Sequence, residues 1–291
     1  MVIIASKEGQ LANRIWHASS FIANAFENDY RILHLYIDEY SHFFSERLNS
    51  THHPLRIAGK KSKWRNNFLR KFFEFVLKFS RRTSLRKFLF FDILLHEGYD
   101  DVEPFDLNNV QFIHKAKSGN LVVSGWLFKD SMNLKKHKEK IVELWTPNVN
   151  YRNRIDNFYK RYHEKSDLLI GVHIRRGDYI KFNNGTWYYE IADYHRKMKE
   201  IAAMSEFSGK KLGFVVCSNE PDTKFTTEQQ FDIFFEPRHF IEDLYLLSRC
   251  DYIIGPPSTF SMWASFYGSV PLYMLRDITV NVDMKKFQIH F

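Results

Sequence analysis

With 291 residues, 44% hydrophobic and 26% charged, the chain has an ordinary globular composition and room for one large or two medium domains. No apolar run approaches the roughly 20 residues of a bilayer span; Met1-Val-Ile-Ile-Ala-Ser6 lacks the features of a signal peptide; and two cysteines, Cys217 and Cys250, argue against a disulfide framework and for a reducing compartment. The net charge of +8 resides in one segment: Lys60 to Phe91 carries eleven Lys/Arg against Glu74 alone, a net of +10, so the rest of the chain is about −2, which argues against a nucleic-acid groove spread over the surface.

Val2-Ile-Ile-Ala5 reads as a strand and Ser6-Lys-Glu-Gly9 as a loop. The recurrence of Leu11, Ile15, Ala18, Ile22, Ala25 and Phe26 then predicts a helix. This strand, glycine loop and helix form the first βα unit of a nucleotide-fold domain. Asn13 and Arg14 fall at the helix start, where amide groups and the helix dipole favour an anion; a simple tight turn at Gly9 is the alternative. Arg31 to Ile37 is the next predicted strand. Residues 38–59 are polar and irregular, and the adjacent His52 and His53 have no third ligand at metal-binding spacing.

Within Lys60 to Phe91, Trp64, Phe68, Phe72, Phe75, Val76 and Phe79 keep helical spacing, with Lys and Arg on the other face. Such a basic amphipathic insertion reads either as a membrane-surface element or as a solvated helix packed on its domain. Anionic lipid would attract it by about 1 kcal/mol per basic residue. The expected location is therefore cytoplasmic, with peripheral attachment to the inner face of the membrane through residues 60–91 as one option. Asp92 to Asp130 mixes short strands and turns, Asn120 to Trp126 being a strand, and Asp101-Val-Glu103 is too generic for a metal-binding acidic motif. Leu134 to Trp145 reads as a charged helix stopped by Thr146-Pro147.

Pro147 to Asn150 is the predicted boundary between residues 1–150 and residues 151–291. Arg152 to Glu164 is a predicted helix. After it come a strand (Leu168 to Ile174), a helix (Tyr188 to Met204), a strand (Lys211 to Ser218), a short strand (Phe231 to Phe235), a helix (Phe240 to Arg249), a strand (Asp251 to Gly255), a helix (Thr259 to Tyr267) and a final strand (Val270 to Leu275). This alternation argues for a parallel, helix-covered sheet.

Two strand ends carry the chemistry. Leu168 to Tyr179 begins as a buried strand and breaks into Arg175, Arg176, Gly177 and Asp178. Ligands of open α/β sheets bind beyond the carboxyl ends of strands. Side chains alternate along a strand, so one arginine would face a ligand while the other braces the loop; an Arg–Asp pair closing the strand end is the alternative. The second strand end is Gly255-Pro-Pro, where Ser258 is a good N-cap and the hydroxyls of Ser258, Thr259 and Ser261 surround a helix N-terminus, an anion cradle. Asp243 is either a surface charge or a carboxylate that accepts N–H donors from a base edge.

Taken together, these stretches resemble the inverting α-1,2-fucosyltransferases. His173-Ile-Arg-Arg-Gly-Asp178 looks like their His-x-Arg-Arg-Gly-Asp motif, and Gly9-Gln-Leu-Ala-Asn-Arg14 like their Gly-Gly-Leu-Gly-Asn-Gln. Asp243-Leu-Tyr-Leu-Leu-Ser248 and Ser258-Thr-Phe-Ser-Met-Trp263 are similar to two further family motifs, and Cys217-Ser-Asn-Glu220 to a strand end. The match covers residues 6–26 and 167–275. Gln10, Ala12, Arg14 and Met262 depart from the pattern, which bears on the acceptor and the donor sugar.

The resemblance implies a GT-B fold, two Rossmann-like domains facing a cleft, with GDP-β-L-fucose on the C-terminal half and a glycan acceptor, its galactose 2-hydroxyl by analogy, on the N-terminal half. It implies His173 and Asp243 at the guanine, Arg175 at the β-phosphate with Arg176 beside it, and Ser258, Thr259 and Ser261 completing the donor site. Asn13 would approach the reaction centre. Asp178 is open between a general base and a partner of Arg176 that fixes the loop. No cofactor and no metal are expected, because arginine can offset leaving-group charge, and no nucleic-acid partner is expected. A transferase for another GDP-sugar, and a membrane- or polyanion-binding module, are the alternatives.

Overall fold

The computed structural model describes residues 1–50, 52–57, 63–80, 92–96, 103–220, 225 and 229–291. These divide into two units, Met1–Asn148 with Phe291, and Val149–His290. In each, short runs of Val, Ile, Leu and Phe form parallel strands buried under helices, the arrangement parallel sheets require because crossover helices cover both faces.

The first unit contains β1 (Val2–Ile4), α1 (Leu11–Asn28), β2 (Ile32–His34), β3 (Leu55–Ile57), α2 (Lys63–Ser80), β4 (Asp92–His96), β5 (Phe105–Asp106), α3 (Val110–Ser118), β6 (Leu121–Gly125), β7 (Phe128–Lys129), α4 (Ser131–Lys136) and α5 (Lys138–Leu144). Its sheet runs β3-β2-β1-β6-β4, and all its pairings are parallel. The strand expected over Arg31 to Ile37 stops at His34, and Ile37–Glu39 turns as a 3-10 helix. β3 lies inside the stretch read as irregular, where three residues at a sheet edge leave too little periodicity to see. α3 was hidden likewise among short strands; Asn109 caps it by accepting from the amides of Gln111 and Phe112. The single helix expected over Leu134 to Trp145 is two, broken at His137. Of the basic segment, α2 is described; residues 58–62 and 81–91 lie outside the described residues, as do Asp101 and Val102 of the dismissed acidic motif.

The second unit contains α6 (Val149–His163), β8 (Leu168–Ile174), α7 (Ile191–Ala202), β9 (Leu212–Ser218), β10 (Phe231–Phe234), α8 (Phe240–Leu247), β11 (Tyr252–Gly255), α9 (Thr259–Gly268) and β12 (Leu272–Met274). The sheet order is β10-β9-β8-β11-β12, all parallel. The chain leaves β8 toward β9 on one side and returns through β11 on the other. The crevice between β8 and β11 is therefore the topological switch point, where such sheets bind ligands. Ile170, Val172 and Ile174 of β8 pack with Tyr194, Met198 and Ile201 of α7 and Phe214 and Val216 of β9 in the core beneath it.

Among the described residues no helix is long and apolar enough to cross a membrane.

Candidate functional site

The switch point is lined by the two stretches singled out in the sequence. β8 ends at Ile174, and the next two residues diverge. Arg176 turns back into the fold: its guanidinium pairs with Glu190 at 2.6 Å and Glu220 at 3.2 Å, takes the Tyr188 hydroxyl as a further partner, and stacks over the Tyr188 ring at 4.8 Å. Its amide donates to Asn219 Oδ1 at 3.3 Å. Two carboxylates and a phenol occupy the planar fork, so Arg176 braces the loop between β8 and the exit of β9. These partners, rather than the crevice, hold its guanidinium in this structure.

Arg175 is the more available arginine. Its Nη2 donates to Asp178 Oδ2 at 2.9 Å, with the Asp178 carboxylate 58% exposed. The expected partner of Asp178 was Arg176; the turn Gly177–Ile180 instead carries Asp178 back over Arg175. An exposed ion pair of this kind contributes only about 0–1 kcal/mol, so an incoming phosphate can compete for Arg175 at little cost to the fold.

Tyr179 joins the two strand ends. Its hydroxyl donates to the Pro257 carbonyl at 2.6 Å, and the Arg175 guanidinium lies 5.8 Å from its ring centre. Pro256 and Pro257 then lead into α9. Ser258 caps that helix, its Oγ accepting from the Phe260 amide at 3.3 Å. Helix N-terminal amides lack intrahelical acceptors and carry a partial positive charge, so α9 points an anion-binding end at the crevice that Arg175 borders. Thr259 opens the helix and is half-buried. Ser261, expected to complete the cradle, is fully buried and donates to the Ser258 carbonyl at 3.2 Å. It belongs to the helix, not to the crevice.

His173 is the penultimate residue of β8 and is buried. Its ring stacks on Phe260 with centroids 4.9 Å apart, and its Nδ1 has no hydrogen-bond partner among the described residues. Burial, with the charge of Arg175 adding to it, depresses the imidazole to about 3, so His173 is neutral at physiological pH. β11 approaches it so closely that a Cβ on Gly255 would lie 2.9 Å from both the His173 Cβ and its carbonyl oxygen. Only glycine lets the two strand ends converge here.

Asp243 is not a surface charge. It lies within α8, and Arg238 Nε donates to its Oδ1 at 2.7 Å. Arg238 also donates to the Val216 carbonyl at 2.5 Å and the Tyr162 hydroxyl at 3.0 Å. Burial opposes charge on Arg238, but Cys217 and Asp243 beside it hold it protonated. The carboxylate is thereby fixed beside the end of β9, near the exit of the sheet. Arg238 is not visible in the sequence as a site residue, and Tyr179, Phe260 and Gly255 stand there only as members of their stretches, without these contacts. Arg238 carries no local signal at all, since its partners are 5, 22 and 76 residues away.

In the first unit, Gly9 has φ +49°, a left-handed conformation that suits glycine, and an added Cβ would lie 2.0 Å from Asn13 Nδ2. Asn13 thus folds back over the loop. Arg14, expected near an anion, is 2% exposed: its Nη1 donates to the Tyr36 carbonyl at 3.0 Å and pairs with Glu39 at 2.6 Å, while Nε and Nη2 hold the Gly9 carbonyl at 3.2 and 3.1 Å. Burial would push the Glu39 carboxyl up, but Arg14 and Lys7 outweigh it and leave it below the ordinary range. Arg14 is a clamp between the glycine loop and the exit of β2, which explains a guanidinium in place of the family's glutamine. Among the described residues no group of three or more His, Cys, Asp or Glu side chains is placed to hold an ion.

Residues 76–275 match the model of Glycosyl transferase family 11. A curated relative, the O-antigen biosynthesis glycosyltransferase WbnK of Escherichia coli, is 24% identical over 184 residues, 60% of this chain and 60% of the relative's length. The Arabidopsis thaliana FUT1, solved as a mutant in complex with GDP, superposes with TM-score 0.57 at 16% identity over 94% of this chain and 70% of its own. The fucosyltransferase NodZ from Bradyrhizobium gives TM-score 0.56 at 16% identity over 94% of each chain. NodZ, described as an alpha-1,6-fucosyltransferase, has also been soaked with GDP-fucose, in a structure that gives TM-score 0.51 at 15% identity over 98% of this chain and 96% of that one. These likenesses identify the fold as GT-B, in agreement with the two Rossmann-like sheets. On the match across 200 of its 291 residues, the chain belongs to glycosyl transferase family 11.

Proposed function

We propose that the protein transfers L-fucose from GDP-β-L-fucose to a glycan hydroxyl, the galactose 2-hydroxyl, with inversion at the anomeric carbon. The observation that carries this reading is the convergence of Arg175 and the N-terminus of α9 on one switch point, tied together by the bond from Tyr179 to the Pro257 carbonyl. Two structural neighbours, FUT1 with GDP and NodZ soaked with GDP-fucose, point to the same donor.

In the proposed reaction the acceptor oxygen bonds to the anomeric carbon as the bond to the diphosphate oxygen breaks. GDP leaves with the electron pair, and the acceptor proton passes to solvent. Charge builds on the diphosphate in an oxocarbenium-like transition state. Arg175 and the α9 amides lie where they would offset it, so electrostatic stabilisation and positioning supply the catalysis. Ser258 and Thr259 complete the proposed phosphate site. His173, neutral and roofed by Phe260, and Asp243, held by Arg238, remain the proposed guanine contacts, and Asn13 keeps the role that the resemblance implies at the reacting centre. Asp178, paired with Arg175, acts as a positioning group rather than a base. With arginine in the charge-offsetting role, transfer is proposed to need no divalent ion, so EDTA should leave the rate unchanged.

The test is a thermal-shift screen against GDP, UDP and CMP, followed by donor hydrolysis with GDP-fucose and GDP-mannose. Selective stabilisation by GDP and turnover of GDP-fucose are expected. Stabilisation by UDP or CMP instead would refute the nucleotide, and preferential turnover of GDP-mannose the sugar.

A further inference from the structure

Helix α2 has two apolar faces, and among the described residues only one is buried in the core of its own unit. Phe73 and Leu77 are buried against Ile3, Leu35, Tyr36 and Val122, with Val76 buried beside them. Polar contacts fix the rotation of the helix. Arg70 donates to the Leu35 carbonyl at 2.8 Å and pairs with Asp38, Asn66 donates to Asp38 at 2.6 Å, and Tyr36 donates to Glu74 at 2.8 Å. The opposite face must then point outward, and it is aromatic. Trp64 is 78% exposed, Phe68 58% and Phe75 66%, and Phe72 and Phe79 extend the same row. At about 100° per residue these five fall within an arc of roughly 80°. The exposed Lys71 and Lys78 border the arc. Glu74 is the one acidic residue between Lys60 and Phe91, and it is engaged by Tyr36.

We propose that this face docks on the surface of an anionic phospholipid bilayer. Trp64, Phe68 and Phe75 would enter the headgroup layer while Lys71 and Lys78 reach lipid phosphates along their apolar stems. A row of exposed aromatics is unfavourable in water unless something covers it. The charge selects the occupant: a second copy seated on this face would set the exposed Lys71 and Lys78 against their own copies, since a twofold interface brings identical patches together. A lipid surface of opposite charge meets no such repulsion. The rings also stack on one another, Trp64 on Phe68 at 6.0 Å and Phe75 on Phe79 at 5.9 Å, instead of standing apart to receive bases.

The experiment is flotation of the full chain with phosphatidylcholine vesicles made with and without phosphatidylglycerol. Binding only to the anionic vesicles, weakened by salt, is expected. Lys71→Gln with Lys78→Gln should weaken it about thirtyfold. Trp64→Ser with Phe68→Ser and Phe75→Ser should abolish it while the melting temperature stays that of the parent, because these side chains carry little of the core. Where the triple variant melts early, the single variants Trp64→Ser and Phe75→Ser should each show partial loss. Failure of the parent to float overturns the proposal. So does retention of binding in a folded triple variant, a dimer that the triple variant dissolves without any vesicle binding, or binding of polyuridylate in place of vesicles.

Discussion

Replacing Arg175 by alanine separates the chemistry of the switch point from its architecture. Among the described residues the guanidinium has one carboxylate partner, Asp178, at 2.9 Å, in a pair exposed on its Asp178 side. Losing an exposed pair costs about 0–1 kcal/mol, so the melting temperature should scarcely move. If Arg175 meets the leaving diphosphate, its removal takes away a preorganised donor aimed at developing charge, which costs about 10²–10³ in kcat. Asp178→Asn supplies the control. A general base contributes about 10²–10⁴, whereas an exposed partner of Arg175 contributes a few-fold at most, and the few-fold change is expected. The assay is release of GDP from GDP-fucose with acceptor present, alongside thermal melting and GDP titration. Near-parental turnover in a folded Arg175→Ala variant would refute the leaving-group role. A loss of about 10³ in Asp178→Asn, with GDP affinity intact, would restore Asp178 as the base.

Other expectations follow from the same contacts. Arg238→Met leaves the Asp243 carboxylate buried without its partner, so unfolding stability should fall by about 3–5 kcal/mol, and urea melts would show it; Arg238→Met with Asp243→Leu should recover much of that loss. Burial depresses His173 to about 3 and His17 to about 4, and it holds His34 well below its ordinary value of 6.5. Since the unfolded chain takes up these protons first, stability should be unaffected above pH 6.5 and fall below it toward pH 4, each histidine adding up to about 1.4 kcal/mol per pH unit. Thermal melts across that range check the slope, and His17→Gln should flatten it. Gly255→Ala sets a Cβ 2.9 Å from the backbone of His173; overpacking of about 1–3 kcal/mol and weaker GDP binding are expected by melting and titration. Cys217 and Cys250 are buried, and burial raises both thiols, so neither should react with iodoacetamide until the chain is denatured.

The elements and the places where they break are legible in the amino-acid order alone. Parallel strands buried on both faces must be runs such as Leu168 to Ile174, and Gly9, Gly255 and the capping Ser258 mark where the chain turns or caps. These signals act over a few residues, so periodicity and residue type reveal them. Three-residue strands such as Leu55–Ile57 escaped because they offer too little repeat to read. The partners of the charged side chains come from the packing of distant segments. It paired Asp178 with Arg175 and gave Arg176 to Glu190 and Glu220; it buried Arg14 as a clamp, turned Ser261 inward, and brought Arg238 to Asp243. It also decided which face of Lys63–Ser80 is covered. A charged side chain settles where distant carbonyls and carboxylates satisfy it, and those separations, up to 76 residues for Arg238 and Tyr162, leave no trace in local spacing.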